Sequence, residues 1–485
     1  MQFPYGPFAP DAGRNATGTC IVAEGVLPNT VGYGPAPSLI GPGTGDALPA
    51  EARGAITTVK RDGTTQVFFL TASALYRMEA DFTFTELETG YACTPGDDWS
   101  CEQFGNFLLY TNTTDGLWAY NIELGGAATY ISAAGDPRFI FVTANLVFAL
   151  DCKDDIGNRN NRLIRNSDFN DHTDWTGGAA DQQPLEVGGE LVGGVNLKNG
   201  AAVIFQRGAM RLIQFGNAGG GAMYSLQEIA LDRGSVGSKS IAGFDGAVYF
   251  LATNGFWRFS GAGLEPIGAG YVDEWFLNQV SSTVLKDVQA AIDPARKIVL
   301  WLTTTAGFIL GYSYAPNVTN RWFTWQTTAV FMSRVATSGY TWDAVGAIWP
   351  TWDAIPEIPF DDRFWAGGQQ FLAALDADLT YASFSGEAQA ATIETSTSNS
   401  PVTALITWAT PIDDCFGGTL AMRVTDSLDD VTTDYNDGEF KVSGGRTPQR
   451  GRGLNLSFKR EIPAGRIWTY AKGVDHIKAS TGGPK

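Results

Sequence analysis

Read along the chain, apolar and polar positions return to one phrase: a run of apolar residues, a polar pause, then a second run rich in aromatics. GAVYFLATNGFWRFSG at Gly246–Gly261 is its clearest copy. Val248, Tyr249, Phe250 and Leu251 favour a pleated surface, and Asn254-Gly255 supplies the positive-φ positions of a tight turn, so the phrase predicts a β-hairpin. Further copies begin at Val67, Phe107, Phe139, Val203, Ile298 and Phe371, giving seven. Successive starts lie 40, 32, 64, 45, 50 and 73 residues apart. Propeller blades recur every ~40 to 50 residues, and insertions would fill the wide gaps. A hairpin cannot bury both of its faces alone, and stacking such sheets about an axis solves this while leaving few open edges. The expectation is a mostly β chain built on a β-propeller of six to eight blades, with a series of β-sandwiches as the competing arrangement.

Outside the hairpins the pattern changes. The opening stretch, FPYGPFAPDAGRNATG and then EGVLPNTVGYGPAPSLIGPG, has no periodic apolar face and is dense in Pro and Gly. It reads as an extended arm over residues 1–60, lying on other surfaces. Residues 61–390 hold the propeller with insertions, and 391–485 form a C-terminal β domain with a basic tail. The 58 Gly and 22 Pro among 485 residues suit short strands joined by turns. No stretch carries the marks of a secretory signal, and no run of ~18 apolar residues predicts a membrane span.

Charge sharpens this division. The whole chain is −18, but the segment from Phe440 to Lys485 holds ten Lys or Arg against Glu461 and Asp475, a net of +8. Residues 1–439 carry 23 basic and 49 acidic residues, a net of −26. An acidic body binds nucleic acid poorly, because affinity for the phosphate backbone depends on Lys and Arg releasing counterions. The basic tail, with Arg446, Arg450, Arg452, Lys459 and Arg460, is suited to an acidic subunit surface.

Candidate chemistry is sparse. Only His172 and His476 are present, which argues against His-based triads and multi-His metal sites. GSVGSKS at Gly234–Ser240 lacks the Gly that a phosphate loop requires before its Lys and reads as a turn. DYNDGE at Asp434–Glu439 misses calcium-loop spacing and reads as an acidic turn. TTDGLWAY at Thr113–Tyr120 is a shortened form of the S/T-x-D-x-G-x-x-W turn of sialidase-type propellers. The pairs Asp361-Asp362 and Asp413-Asp414 read as solvated turns, since neighbours on a strand point to opposite faces. Cys20, Cys93, Cys101, Cys152 and Cys415 form no metal spacing; Cys93 and Cys101 could pair, with free thiols the simpler reading. No catalytic, cofactor or metal residues are expected.

Four phrases away from the hairpins resemble the tail nozzle (tail hub, or tail tubular) proteins of short-tailed bacteriophages. Val26-Leu27-Pro28 with Gly32-Tyr33 and Pro35 to Leu39 match that family's V-L-P-x-x-x-G-Y-x-P-x-P-S-L opening. SDFNDHTDW at Ser167–Trp175 is similar to its Ser-Asp turn ending in Trp. The paired TWDA of TWDAVGAIWPTWDAIP is similar to turns preceding its last blade. IPAGRIWTYAKGVD resembles its closing strands. The first two blades match in pattern only, and Gly453-Leu454 stands where several members have Arg-Tyr. The resemblance implies a virion tail protein, assembled in the host cytoplasm, with no enzymatic activity. Copies, six in the family, would ring the tail axis below the adaptor and portal, hold tail fibres or spikes, and let genomic DNA pass without specific binding. On this reading Phe3, Tyr5, Phe8, Leu27 and Tyr33 of the arm, with Arg446, Arg450, Arg452, Lys459 and Arg460, are the expected subunit-interface residues. A glycan-binding or sialidase-like propeller is the rival class.

Overall fold

The computed structural model describes all residues except 1, 217–222, 262, 337–338, 369, 426–435, 440–446, 476–478 and 482–485; side chains at 400–405, 436–439, 450 and 479–481 are likewise outside the description. Seven antiparallel meanders follow one another, at 54–89, 100–130, 139–184, 191–230, 241–266, 289–326 and 331–383. Six are sheets in their own right, five of four strands and the last of three, while the meander at 289–326 continues into a larger sheet.

The first strands of neighbouring meanders lie side by side. Ser100 Oγ donates to Ile140 O at 3.2 Å and Thr143 Oγ1 donates to Asn196 Oδ1 at 3.2 Å; next to them Trp301 Nε1, on the second strand of its meander, donates at 3.3 Å to Ser240 O, just ahead of the strand Ile241–Phe244. Gln289 Nε2 donates to Met332 O at 2.7 Å. The circle closes where Thr57 Oγ1, in the first meander, donates to Arg334 O, in the last, at 3.0 Å. This is a β-propeller whose inner edges face one another around the axis.

All seven sequence hairpins are blade hairpins. Six form the second and third strands of a blade, but the one starting at Phe139 forms the first and second. That offset of one strand explains the short interval of 32 followed by the long one of 64. The turn in the clearest copy is centred one residue earlier than expected. Ala252 pairs with Gly255, leaving Thr253-Asn254 as the loop, and Gly255 alone takes positive φ, +126°. The final wide interval holds an insertion between the first two strands of the last blade, including the helix Trp342–Ile348 and the short helix Arg363–Ala366. The paired TWDA therefore lies inside the last blade, not before it.

The N-terminal segment is not an arm laid on the outside. Cys20–Glu24 pairs antiparallel with Ala391–Thr395, and its Glu24 pairs in parallel with Thr324 on the outer strand of the sixth blade. Val26–Pro28 and Tyr33–Pro35 form a hairpin whose Tyr33 pairs with Ala471. Ile40 bridges Ser383, adding an edge to the three-stranded last blade. Gly54–Val59, inside the expected arm, is already the first blade strand. The segment crosses between these partners where only Gly fits: at Gly25, with φ +66°, an added Cβ would lie 1.9 Å from Ala390 O. The C-terminal domain is built on two long strands, Ser398–Asp413 and Thr447–Ile462, which pair antiparallel. One core cluster joins Tyr5, Phe8 and Tyr33 to Trp301, Trp322 and Trp325 of the sixth blade and to Phe458 of the C-terminal domain.

Candidate functional site

The expected interface residues divide sharply. Phe3, Tyr5, Phe8 and Tyr33 are buried inside their own chain and are unavailable to another subunit. Tyr33 donates its hydroxyl to Gly6 O at 2.9 Å, Phe3 meets Phe458 edge-on at 5.0 Å, and Phe8 meets Trp275 at 5.5 Å. Three neighbours fix the segment further. Both carboxylate oxygens of Asp11 accept from the first turn of the helix Asp273–Gln279, from Glu274 N at 2.9 Å and Trp275 N at 2.7 Å. Trp325 Nε1 donates to Val26 O at 2.8 Å, and Trp349 Nε1 to Pro42 O at 2.8 Å. Aromatic residues without local periodicity are here core residues whose partners lie hundreds of positions away. Leu27 is half-buried against the same core.

Of the basic group, Arg460 is a correction. Its side chain is fully buried and its Nε donates to the equally buried Asp413 at 2.8 Å, with Nη1 donating to Thr419 O at 3.3 Å and Glu461 O at 3.1 Å. Asp413 is thus not in a solvated turn, and its neighbour Asp414 holds Thr469 N at 2.8 Å and Tyr470 N at 3.1 Å. Lys459 pairs with Glu461, and Arg452 is exposed. Arg446 and the side chain of Arg450 lie outside the described residues, as does His476. Asn436–Glu439 is a strand, not an acidic turn. All five cysteines are free thiols. His172 lies tilted against Phe107 with ring centres 4.4 Å apart, and burial pulls its pKa below the usual value.

Two places that sequence reading did not single out as sites have the character of one. The first is an axial cavity of about 500 Å³, lined by the inner strands of all seven blades. Lys239 pairs with Asp98 at 2.8 Å on its wall. Glu102 and Arg334 also line it, and neither side chain has a hydrogen bond or ion pair among the described residues. Burial pushes the Glu102 carboxyl up to about 7, against the opposing pull of Arg334. A chamber of this size takes waters or one small polar molecule. It is no path for a nucleic acid. The sequence signal was a charge in the middle of the inner strand Ser100–Phe104.

The second is on the insertion in the last blade. Trp349, Phe364 and Trp365 from this segment are buried with Phe82 and Tyr381. Trp342, Trp352 and Phe360 are instead 69%, 75% and 57% exposed. They touch one another: Trp342 lies 5.8 Å from Phe360 and 6.4 Å from Trp352, ring centre to ring centre. Thr341 caps the helix that carries Trp342, accepting from Ala344 N at 3.3 Å, and Asp362 caps the next. The repeated TWDA was visible in the sequence; which Trp faces outward was not.

No protein-family model matches the chain, and no curated protein matches it. Solved structures with a similar fold include a streptogramin B lyase at 14% identity, covering 58% of this chain and 85% of that one, with a TM-score of 0.36. Virginiamycin B lyase from Staphylococcus aureus is 12% identical over 58% of this chain and 87% of that one, with a TM-score of 0.38. BamB from Moraxella catarrhalis is 11% identical over 68% of this chain and 98% of that one, with a TM-score of 0.34. Likeness at this level carries nothing about activity, and the propeller stands on its own strand pairing.

Proposed function

We propose that this chain is a structural subunit of a short bacteriophage tail, a nozzle or hub protein whose copies ring the axis through which the genome leaves. The observation that carries this reading is where the nozzle-like phrases fall. The opening VLP…GYGPAPSL and the closing IPAG…GVD come from opposite ends of the chain, yet they pair in one sheet through Tyr33 and Ala471, and the opening phrase is tied to the sixth blade where Trp325 Nε1 donates to Val26 O at 2.8 Å. A phrase that has a tertiary partner at each end is a feature of the whole chain, and the resemblance spans that whole. The net charge of −26 over residues 1–439 supports the same role, because like-charge repulsion keeps phosphates from adhering to a wall they must slide past. The DNA path then runs between copies, beside the propellers and not through the 500 Å³ cavity.

Electron microscopy of the purified chain, alone and with its particle, tests the proposal. The expected result is a closed ring with an axial hole, of six copies as the resemblance implies, and antibody labelling confined to the particle's tail. A chain that stays monomeric and leaves the particle unlabelled, while turning over a glycan, overturns it.

A further inference from the structure

The core beneath the exposed aromatic cluster is already filled by Trp349, Phe364, Trp365 and Tyr381, and the cluster meets it where Phe360 lies 5.4 Å from Trp365, leaving the rings of Trp342 and Trp352 outside. Three large aromatic rings held in water at one spot mark a surface that is covered in the working state. Its rim says by what. Asp343, Asp353, Glu357 and Asp361 are all exposed on the same segment, and none has an ion pair among the described residues. Over residues 341–363 the net charge is −4, with Arg363 the sole base. Aromatic faces under a field of carboxylates suit guanidinium groups, which stack flat on indole rings and take bidentate hydrogen bonds from carboxylates at the same time.

The chain carries a segment of that chemistry. Residues 440–452 contain Lys441, Arg446, Arg450 and Arg452 and no acid, a net of +4 against the −4 of the insertion. From Thr447 onward the segment is the start of the long strand paired with Ser398–Asp413, which buries Thr447 and Gln449 and leaves Pro448 and Arg452 exposed on alternate positions. We infer that the insertion of one copy, through Trp342, Trp352 and Phe360 and their acidic rim, docks the 440–452 segment of a second copy. The two surfaces differ, so the contact is head-to-tail, and repeated contacts of that kind close into a ring when the rotation allows. The inference deepens the proposed tail role by giving the ring its joint, and rests on that reading for its biological setting.

The test uses a synthetic peptide of residues 440–452 titrated into the dilute full-length chain, read by tryptophan fluorescence and calorimetry. Saturable binding is expected, weakened about tenfold by Trp342→Ala or by Trp352→Ala, as loss of one stacked cation predicts. It should also weaken with Asp353→Lys and when salt is raised to roughly 0.5 M, where charges a few ångströms apart are screened. All three positions are exposed, so circular dichroism should show the fold unchanged. Peptide binding that ignores these variants overturns the inference, as does an oligosaccharide that occupies the cluster when the peptide does not. Sedimentation of the same variants separates the joint from the ring. Variant-sensitive peptide binding by a chain that self-associates through this contact without closing a ring supports the docking and counts against the nozzle reading; rings that survive loss of both Trp342 and Trp352 count against the docking alone.

Discussion

At the scale of single residues, a buried ion pair and a lone half-buried carboxyl act on the stability of this protein in opposite ways. Asp413 and Arg460 are fully buried together, and each satisfies the other. Removing one partner leaves a desolvated charge, so Asp413→Ala should cost about 3–5 kcal/mol in denaturant melts, while Asp413→Leu with Arg460→Met should recover most of it. A double variant as unstable as the single one would show that the pair is needed for more than mutual neutralisation. Glu102 has no such partner. Its carboxyl rises from 4.5 to about 7 on folding because burial penalises the charged form. The native state therefore holds its proton more tightly than the unfolded state does. Below about pH 4.5 the penalty is absent, it grows as pH rises to 7, and above that it is complete. Glu102→Gln should then leave stability nearly unchanged near pH 4.5 and raise it by about 3 kcal/mol at pH 8, by the 1.36 kcal/mol per unit of linkage. Thermal melts at the two pH values check this.

At the scale of elements, the N-terminal segment is the part that reading by pattern alone describes least well. Its strands are two to five residues long, too short to show a period, and their partners are at 324, 391–395 and 471–475. Pro and Gly density reads as looseness when no partner is in view. Here the same residues allow close crossings between sheets, and Trp325 and Trp349 hold the backbone by their indole nitrogens. Deleting residues 2–43 should accordingly do more than weaken assembly. It removes a strand from the C-terminal sheet, the cap on the helix Asp273–Gln279 and the bridge at Ser383. Calorimetry should show loss of the main cooperative transition, whereas an intact transition with failed assembly would restore the view of a free arm. The hairpins fared differently. Their alternating β-branched and aromatic residues were legible because each hairpin closes on itself within about fifteen positions. Three blade turns even share a bond that no motif search revealed: Trp118, Trp175 and Trp257 each donate Nε1 to the residue three positions earlier.

At the scale of the whole molecule, blades and chain ends form one body. A propeller leaves the outer strands of its blades open, and an open edge invites pairing with another chain. In this protein the sixth blade's outer strand is covered by Cys20–Glu24, and through it joined to the C-terminal sheet. The exposed aromatic cluster and the acidic body are two further surfaces that can meet a neighbour. The ring expected by electron microscopy and the joint expected from peptide binding are tests of those surfaces.

The blades follow from side-chain pattern alone. Seven hairpins were countable, the mostly β class followed from them, and the contrast between an acidic body and a basic end was plain from charge alone. These are local properties, fixed by side-chain alternation and turn chemistry over a few residues. Only the tertiary structure decided which aromatic residues are core and which are surface. Tyr33 and Trp342 sit in similar Gly- and Pro-punctuated phrases, yet one is buried and the other is 69% exposed. It also turned Arg460 from a docking charge into half of a buried pair and brought Glu102 and Arg334 to one cavity. Burial depends on what the rest of the chain places overhead, and for these residues what lies overhead comes from segments far away in sequence.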